Sequence, residues 1–331
     1  MKWTWLTAPL ALSVGLLAPS GALAAGGPVA PVQGKAIAVP GSPDRYAVFG
    51  AGRDTIVRRL PIGAAGQLPV HGRYGVPAVD YNGSTTGLSA DGRTLILAEI
   101  PRNAPPRTTR LLVLTAAPRL AVRSRLTLPG WWTVDAISPD GRWLYLIQYP
   151  SSDLSRYAVR AYDLAARRLL ARPVVDPREP DEAMTGVPVA RVMSAGDRWA
   201  YTLYVRPSGA PFVHALDTVA RRAVCVDVPS LSSTDVGNGH LRLPPGSTTL
   251  EVVVAGEPGA SIDTRTFAVT TGGGHSVSTP ARSVSREGPA THGSSGVPWE
   301  LIVLGIIALG ALGAAVALPA RPRRRRAAHD R

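Results

Sequence analysis

The chain has 331 residues, 36 Lys and Arg against 23 Asp and Glu, and a formal net charge of +13. Its one cysteine excludes an intrachain disulfide, so the domain must fold on its hydrophobic core alone. Outside the C-terminal tail the arginines are scattered along the chain rather than gathered on a basic face with interleaved aromatics, which argues against a nucleic-acid partner.

Taken in chain order, residues 1–25 read as a secretory signal. Lys2 supplies the basic start, "LTAPLALSVGLLA" the apolar run, and "ALA" at 22–24 the small residues a signal peptidase requires. The region from 26 to 271 is then organised by a repeat. "SPDGRWLYL" at 138–146 has counterparts in "SPDRYAVFG" at 42–50, "SADGRTLIL" at 89–97, "SAGDRWAYT" at 194–202 and "LPPGSTTLEVVV" at 243–254. Each is a turn signal feeding a β-rich apolar stretch. Aligned on Arg45, Arg93, Arg142, Arg198 and Ser247, they recur at spacings of 48, 49, 56 and 49.

The second half of the unit repeats too. "YAVRAYDLAARRLLARPVV" reads as strand, turn at Asp163–Arg167, strand, and "FVHALDTVARRAVCVDVP" at 212–229 matches it with Asp217 in place of Asp163. A short strand before the first turn, a long one after it and then a hairpin make four strands per unit. At this period that is the pattern of a β-propeller blade. The expected fold is all-β, a propeller of about five or six four-stranded blades, with "KAIAVP" at 35–40 completing the sheet of the last one. Asp140-Gly141 supplies the positive φ of the tight turn, and Trp143, Tyr145 and Ile147 share one strand face opposite Leu144, Leu146 and Gln148.

"SPDGRWLYL" and "SADGRTLIL" resemble the Ser-Pro-Asp-Gly repeat of TolB-type, WD-like propellers of bacterial exported proteins. The resemblance spans about residues 35–270. The copies at 42, 194 and 243 depart from the pattern: the first lacks the Gly, the second scrambles the order and the third lacks the Asp. Because the motif is a turn, the resemblance implies a fold and no reaction.

No nucleophile elbow, zinc helix, phosphate loop or calcium loop is present, so no catalytic residue, metal site or cofactor is expected. Three residues are candidates for contact with a ligand or partner. Trp131 and Trp132, in "LPGWWTVDAIS", precede a first blade strand and are placed to stack on a sugar or anchor a protein, the alternative being that they plug the gap between blades. His240, on an expected loop with Asp235 and Asn238 near it, is the third. The acidic segment "DPREPDEAM" at 176–184 reads as a long inter-blade loop whose carboxylates either bind a cation or are solvated. His214 and Cys225 lie in strand-like apolar stretches and read as packed residues. Asn82-Gly83-Ser84 reads as a turn.

Residues 272–298 are rich in Gly, Ser, Thr and Pro and are expected to form a flexible stalk. Leu301–Leu318 is an uncharged run long enough, at about 1.5 Å per residue, to cross a bilayer, giving a transmembrane helix over 299–319. The tail, 320–331, carries six arginines against one aspartate and belongs in the cytoplasm. The expected protein is therefore a single-pass cell-membrane protein with its propeller outside. Its extracellular part keeps a basic surplus suited to an acidic wall polymer or lipid headgroups. The expected function is non-catalytic binding of a protein or a cell-envelope polysaccharide, with a hydrolase or lyase working in the central channel as the competing reading.

Overall fold

Every turn of the repeat joins the first two strands of one antiparallel sheet. In the computed structural model, which describes residues 28–39, 41–60, 66–150, 156–180, 184–271 and 276–277, there are five such sheets. Blade 1 is β1 (Ala36–Ala38), β2 (Arg45–Ala51), β3 (Asp54–Leu60) and β4 (Gln67–His71). Blade 2 is β5 (Tyr74–Gly75), β6 (Thr94–Glu99), β7 (Thr108–Thr115) and β8 (Ala121–Pro129). Blade 3 is β9 (Trp131–Ile137), β10 (Trp143–Tyr149), β11 (Ala158–Asp163) and β12 (Arg168–Val174). Blade 4 is β13 (Val187–Met193), β14 (Trp199–Val205), β15 (Phe212–Asp217) and β16 (Arg222–Asp227). Blade 5 is β17 (His240–Arg242), β18 (Thr249–Val254), β19 (Glu257–Asp263) and β20 (Val269–Thr271), with β21 (Ser276–Val277) added at its edge.

One expectation is corrected by this pairing. Residues 35–40 do not complete the last sheet: β1 pairs with β2 through Ala36↔Ala47 and Ala38↔Arg45, so blade 1 is made from its own sequence. In the last sheet Ser276 pairs with Thr270. Residues 1–27 and 278–331 lie outside the described residues, and with them the signal, most of the stalk, the membrane helix and the tail. No helix among the described residues is long and apolar enough to cross a membrane.

The turn chemistry explains why the repeat is Ser-x-Asp-Gly. In blade 3 the Ser138 hydroxyl accepts from the Trp143 N–H at 2.8 Å, and the Asp140 carboxylate accepts from the Arg142 N–H at 3.0 Å. Gly141 sits at φ 67°, a conformation only glycine adopts without strain, and an added Cβ would lie 2.4 Å from the Thr94 hydroxyl of blade 2. Blade 2 repeats the arrangement with Ser89, Asp91 and Gly92. The hairpin between third and fourth strands is capped in the same way: Asp163 accepts from the N–H groups of Ala165 and Ala166, and Asp217 from those of Val219 and Ala220. The aligned arginines close the unit, with Arg142 on Asp163 at 3.3 Å and Arg198 on Asp217 at 3.1 Å.

Strand alternation then distributes apolar residues between neighbouring seams. On β10, Leu144 and Leu146 enter the cluster between blades 2 and 3, while Tyr145, Ile147 and Tyr149 enter the one between blades 3 and 4. On β6, Leu95 and Leu97 face blade 1 while Ile96 and Ala98 face blade 3. Each fully buried leucine contributes about 1.5–3 kcal/mol relative to exposure. Among the described residues, such clusters join blades 1 to 2, 2 to 3, 3 to 4 and 4 to 5.

Candidate functional site

In blade 2 the first strand is interrupted. Gly75 pairs with Ala98 and Leu88 bridges to Leu95, so the residues between Gly75 and Leu88 loop out of the sheet. They form a hairpin: Ala78 bridges Thr85, the Val79 N–H donates to Ser84 O, and the Asp80 carboxylate accepts from the Ser84 N–H at 2.7 Å. Its tip reaches two other blades. The Tyr81 N–H donates to Pro188 O of blade 4 at 3.1 Å, and Asn82 Nδ2 donates to Gly239 O beside blade 5 at 3.2 Å. Lys35 from the N-terminal segment donates to Gly83 O. Asn82-Gly83 is thus a turn, as its sequence reads, but one bonded to segments far along the chain.

The three candidate contact residues all stand on first strands, and their burial differs. Trp132 is only 5% exposed. Its indole N–H donates to Pro129 O at 2.7 Å, its backbone N–H donates to the Thr109 hydroxyl, and its ring joins the cluster between blades 2 and 3. It is a plug between blades and not a stacking surface, because strand alternation turns it away from its neighbour. Trp131 is half-buried with its ring 6.0 Å from that of Tyr149. His240 is exposed, but it opens β17 instead of lying on a loop, next to the Gly239 carbonyl that holds Asn82. Asp235 does not reach toward it: its carboxylate accepts from the Ser232 hydroxyl and N–H, which hold its pKa below the usual carboxylate value. No group of three or more His, Cys, Asp or Glu side chains able to hold a metal occurs among the described residues.

A second locus lies in the seam between blades 3 and 4. Arg191, Thr202, His214 and Cys225 are consecutive register partners across β13, β14, β15 and β16, so they form one row on the face turned to blade 3. At the inner end, Arg191 forms a buried ion pair with Asp135 of β9 and also donates to its backbone carbonyl at 2.6 Å. At the outer end, His214 and Cys225 enter the wall of a cavity of about 360 Å³ that Tyr157, Val159, Val174, Asp176 and Met184 also line. Along the row Asp135 Oδ2, Arg191 Nε, Thr202 Oγ1 and His214 Nε2 are buried without a hydrogen-bond partner. Burial, above all, lowers the His214 pKa to about 4, so the ring is neutral. An aromatic series accompanies the row: Trp131, Tyr149, Tyr157, Tyr204 and Phe212 follow one another at centroid spacings of 6.0, 5.8, 5.9 and 5.1 Å.

The acidic segment contributes here in a way its sequence does not announce. Asp176 is 4% exposed. Its carboxylate accepts from the guanidinium of Arg178 at 2.7 Å and from the Cys225 N–H at 2.9 Å. Burial opposes its charge, but Arg178 and these N–H groups outweigh it and keep the pKa below the usual value. Committed in this way, Asp176 does not serve a cation. The hairpin, the Arg191–Asp135 pair and the His214–Cys225 pair are all missed by sequence reasoning. The available signal for the first is that residues 76–88 hold turn residues where the other units hold a continuous strand.

No protein-family model matches this chain, and no curated protein matches it. Among solved structures it is similar to TolB from Acinetobacter baumannii, with 10% identity and a TM-score of 0.38 over 73% of this chain and 51% of that one. It is similar to the beta-propeller domain of Myceliophteria thermophila Cps50 (Swd1), with 11% identity and a TM-score of 0.41 over 79% and 69%. It is also similar to a Mycobacterium tuberculosis puromycin-hydrolyzing peptidase, with 15% identity and a TM-score of 0.40 over 71% and 37%. The chain thus spans about half the length of the TolB structure. The likeness is to propellers of the kind the Ser-Pro-Asp-Gly turns resemble and extends to fold alone. Scores at this level carry no argument about activity, ligand or partner.

Proposed function

We propose that this protein is an extracytoplasmic binding module, held at the cell membrane by the helix at 299–319, that takes a protein or a cell-envelope glycan at the closed centre of its propeller and does no chemistry there. The observation that carries the reading is the hairpin from blade 2 bonded to Pro188 and Gly239, which turns an axial opening into a platform. Tyr81, 42% exposed at its tip, shares that centre with half-buried Trp131 and exposed His240. Aromatic faces beside hydrogen-bonding groups suit a sugar ring or a protein anchor. The basic surplus of the extracellular region favours an acidic polymer. A hydrolase would need free acid, base or cationic groups at this centre, and the Arg191 and Asp135 side chains of the first strands are bonded to each other.

The test is binding of the full chain, in lipid nanodiscs, to anionic wall-polymer fragments and to neutral peptidoglycan fragments by calorimetry. The Tyr81→Ala/Trp131→Ala double variant should weaken binding by more than about tenfold, the scale of a lost hot spot. Binding that is indifferent to both residues, or turnover of the glycan, would overturn the reading. No glycan binding but saturable, Tyr81-dependent binding of an envelope protein would assign the partner as protein.

A further inference from the structure

Cys225 and His214 are direct partners across β16 and β15, and Cys225 Sγ lies 3.8 Å from His214 Nδ1. Both line the cavity between blades 3 and 4, and Met184 lines it with them. The imidazole is 1% exposed, and its Nε2 has no hydrogen-bond partner. We propose that Cys225, His214 and Met184 form a binding site for a soft monovalent metal ion of the copper(I) class. The site is separate from the channel platform and does not depend on what that platform binds.

Geometry, charge and ligand type point the same way. Two bonds of about 2.0–2.3 Å to one metal hold sulfur and nitrogen roughly 3.6–4.3 Å apart as the angle opens from trigonal to linear, and 3.8 Å falls in that interval. Thiolate, thioether and imidazole are the donor set that selects copper(I) over harder ions. A +1 ion on one thiolate is neutral overall, so it enters an apolar seam without leaving a buried net charge, whereas a dication would leave one. Zinc would also want four ligands; Asp176, the nearby carboxylate, already accepts from Arg178 and from the Cys225 N–H.

Binding is a ligand exchange without redox change: the Cys225 S–H proton passes to buffer as the metal–sulfur bond forms, and the metal stays at +1.

The experiment is a titration of the reduced full chain with copper(I) under anaerobic conditions, with bathocuproine disulfonate as competitor. One equivalent should resist the chelator, with a copper–thiolate absorption band, and Cys225→Ser should weaken the site by on the order of a hundredfold, as loss of a soft ligand does. Met184→Leu, which preserves volume, should weaken it by about tenfold. Uptake by the native chain no greater than by Cys225→Ser, or displacement by one equivalent of zinc(II), overturns the assignment. A second measurement needs no variant. Cys225 is the only cysteine, so its alkylation by iodoacetamide reads the site by mass. Chelator-buffered copper(I) should protect it in the folded chain and not in urea; equal rates with and without the metal overturn the proposal.

Discussion

The seam between blades 2 and 3 and the seam between blades 3 and 4 share a blade but are built from different chemistry. The first is largely apolar: Ile96, Leu111, Val113, Trp132, Val134, Leu144 and Leu146 meet there, with the Thr109 hydroxyl and the bonded Arg160 and Gln148 as its polar groups. The second encloses an arginine, an aspartate, a threonine, a histidine and a run of neighbouring tyrosines, and it leaves a cavity. Both faces of β10 are nearly fully buried, so burial alone does not account for the difference. Polar groups cost free energy to bury and are tolerated only when bonded. The second seam gathers Asp135 Oδ2, Arg191 Nε, Thr202 Oγ1 and His214 Nε2 as orphan atoms against Arg160 Nε in the first, which marks it as a place where packing was not the only constraint.

Exchanging a seam's contents while conserving volume should separate the two most sharply. On the apolar side, Leu146→Met should cost less than about 1.5 kcal/mol. On the polar side, Arg191→Met leaves the Asp135 carboxylate buried and unpaired, at a cost of about 3–5 kcal/mol. Adding Asp135→Leu to Arg191→Met should return most of that loss. Urea unfolding of the three variants checks it, and a double variant no more stable than Arg191→Met would show that the pair is not the source of the cost.

Acid should act on the polar seam first. His214 is held near 4 in the folded protein against about 6.5 when unfolded, so the unfolded chain binds its proton earlier as pH falls. Its contribution is complete above about pH 6.5 and is lost between there and about pH 4, amounting to on the order of 3 kcal/mol. Asp163 and Asp217, also kept below their ordinary value, are lost only at lower pH, under 3.8. Unfolding free energies measured from pH 7 to 4.5 should therefore decline for the native chain, and more weakly for His214→Phe. Parallel curves for the two would remove His214 as the cause.

How much of this was legible in the sequence follows from which interactions are local. The Ser-x-Asp-Gly turns bond within five residues of themselves, so even the scrambled Ser194 copy could be placed: its hydroxyl still accepts from the Trp199 N–H at 2.9 Å. Those turns bounded the blade count at about five or six, and five sheets form among the described residues. The hairpin at 77–86 was opaque because its partners, Pro188 and Gly239, lie far along the chain. The pairing of His214 with Cys225 was within reach, since both stand on one hairpin and the turn at Asp217 sets their register. What composition hid was that a cavity stands beside them. Trp131 and Trp132 were singled out as a pair, and strand alternation separates them into one half-open ring and one interior plug.

The smallest expected effect tests a latch that the apolar seam lacks. Tyr145 of blade 3 donates its hydroxyl to Thr218 O of blade 4 at 2.7 Å, and Tyr46 of blade 1 donates to Ala116 O of blade 2 at 2.9 Å. Both acceptors immediately follow the third strand of the next blade. Tyr201 of blade 4 is hydrogen-bonded to the Thr264 side chain of blade 5, and burial pushes its phenol up to about 12. In blade 2 the positions after Arg93 on the corresponding strand hold Thr94, Leu95, Ile96 and Leu97, and no tyrosine reaches the next blade from there. Tyr145→Phe removes a donor and strands a carbonyl on fully buried Thr218, so it should cost about 1–2 kcal/mol. For a domain of this size that is a fall of roughly 2–8 °C in Tm. Tyr46→Phe should cost a similar amount, and because the two latches sit in different seams their effects should add to within about 0.5 kcal/mol. A double variant that loses clearly more than the sum would mean that the seams support one another, and the contrast between them would then describe their composition but not their stability.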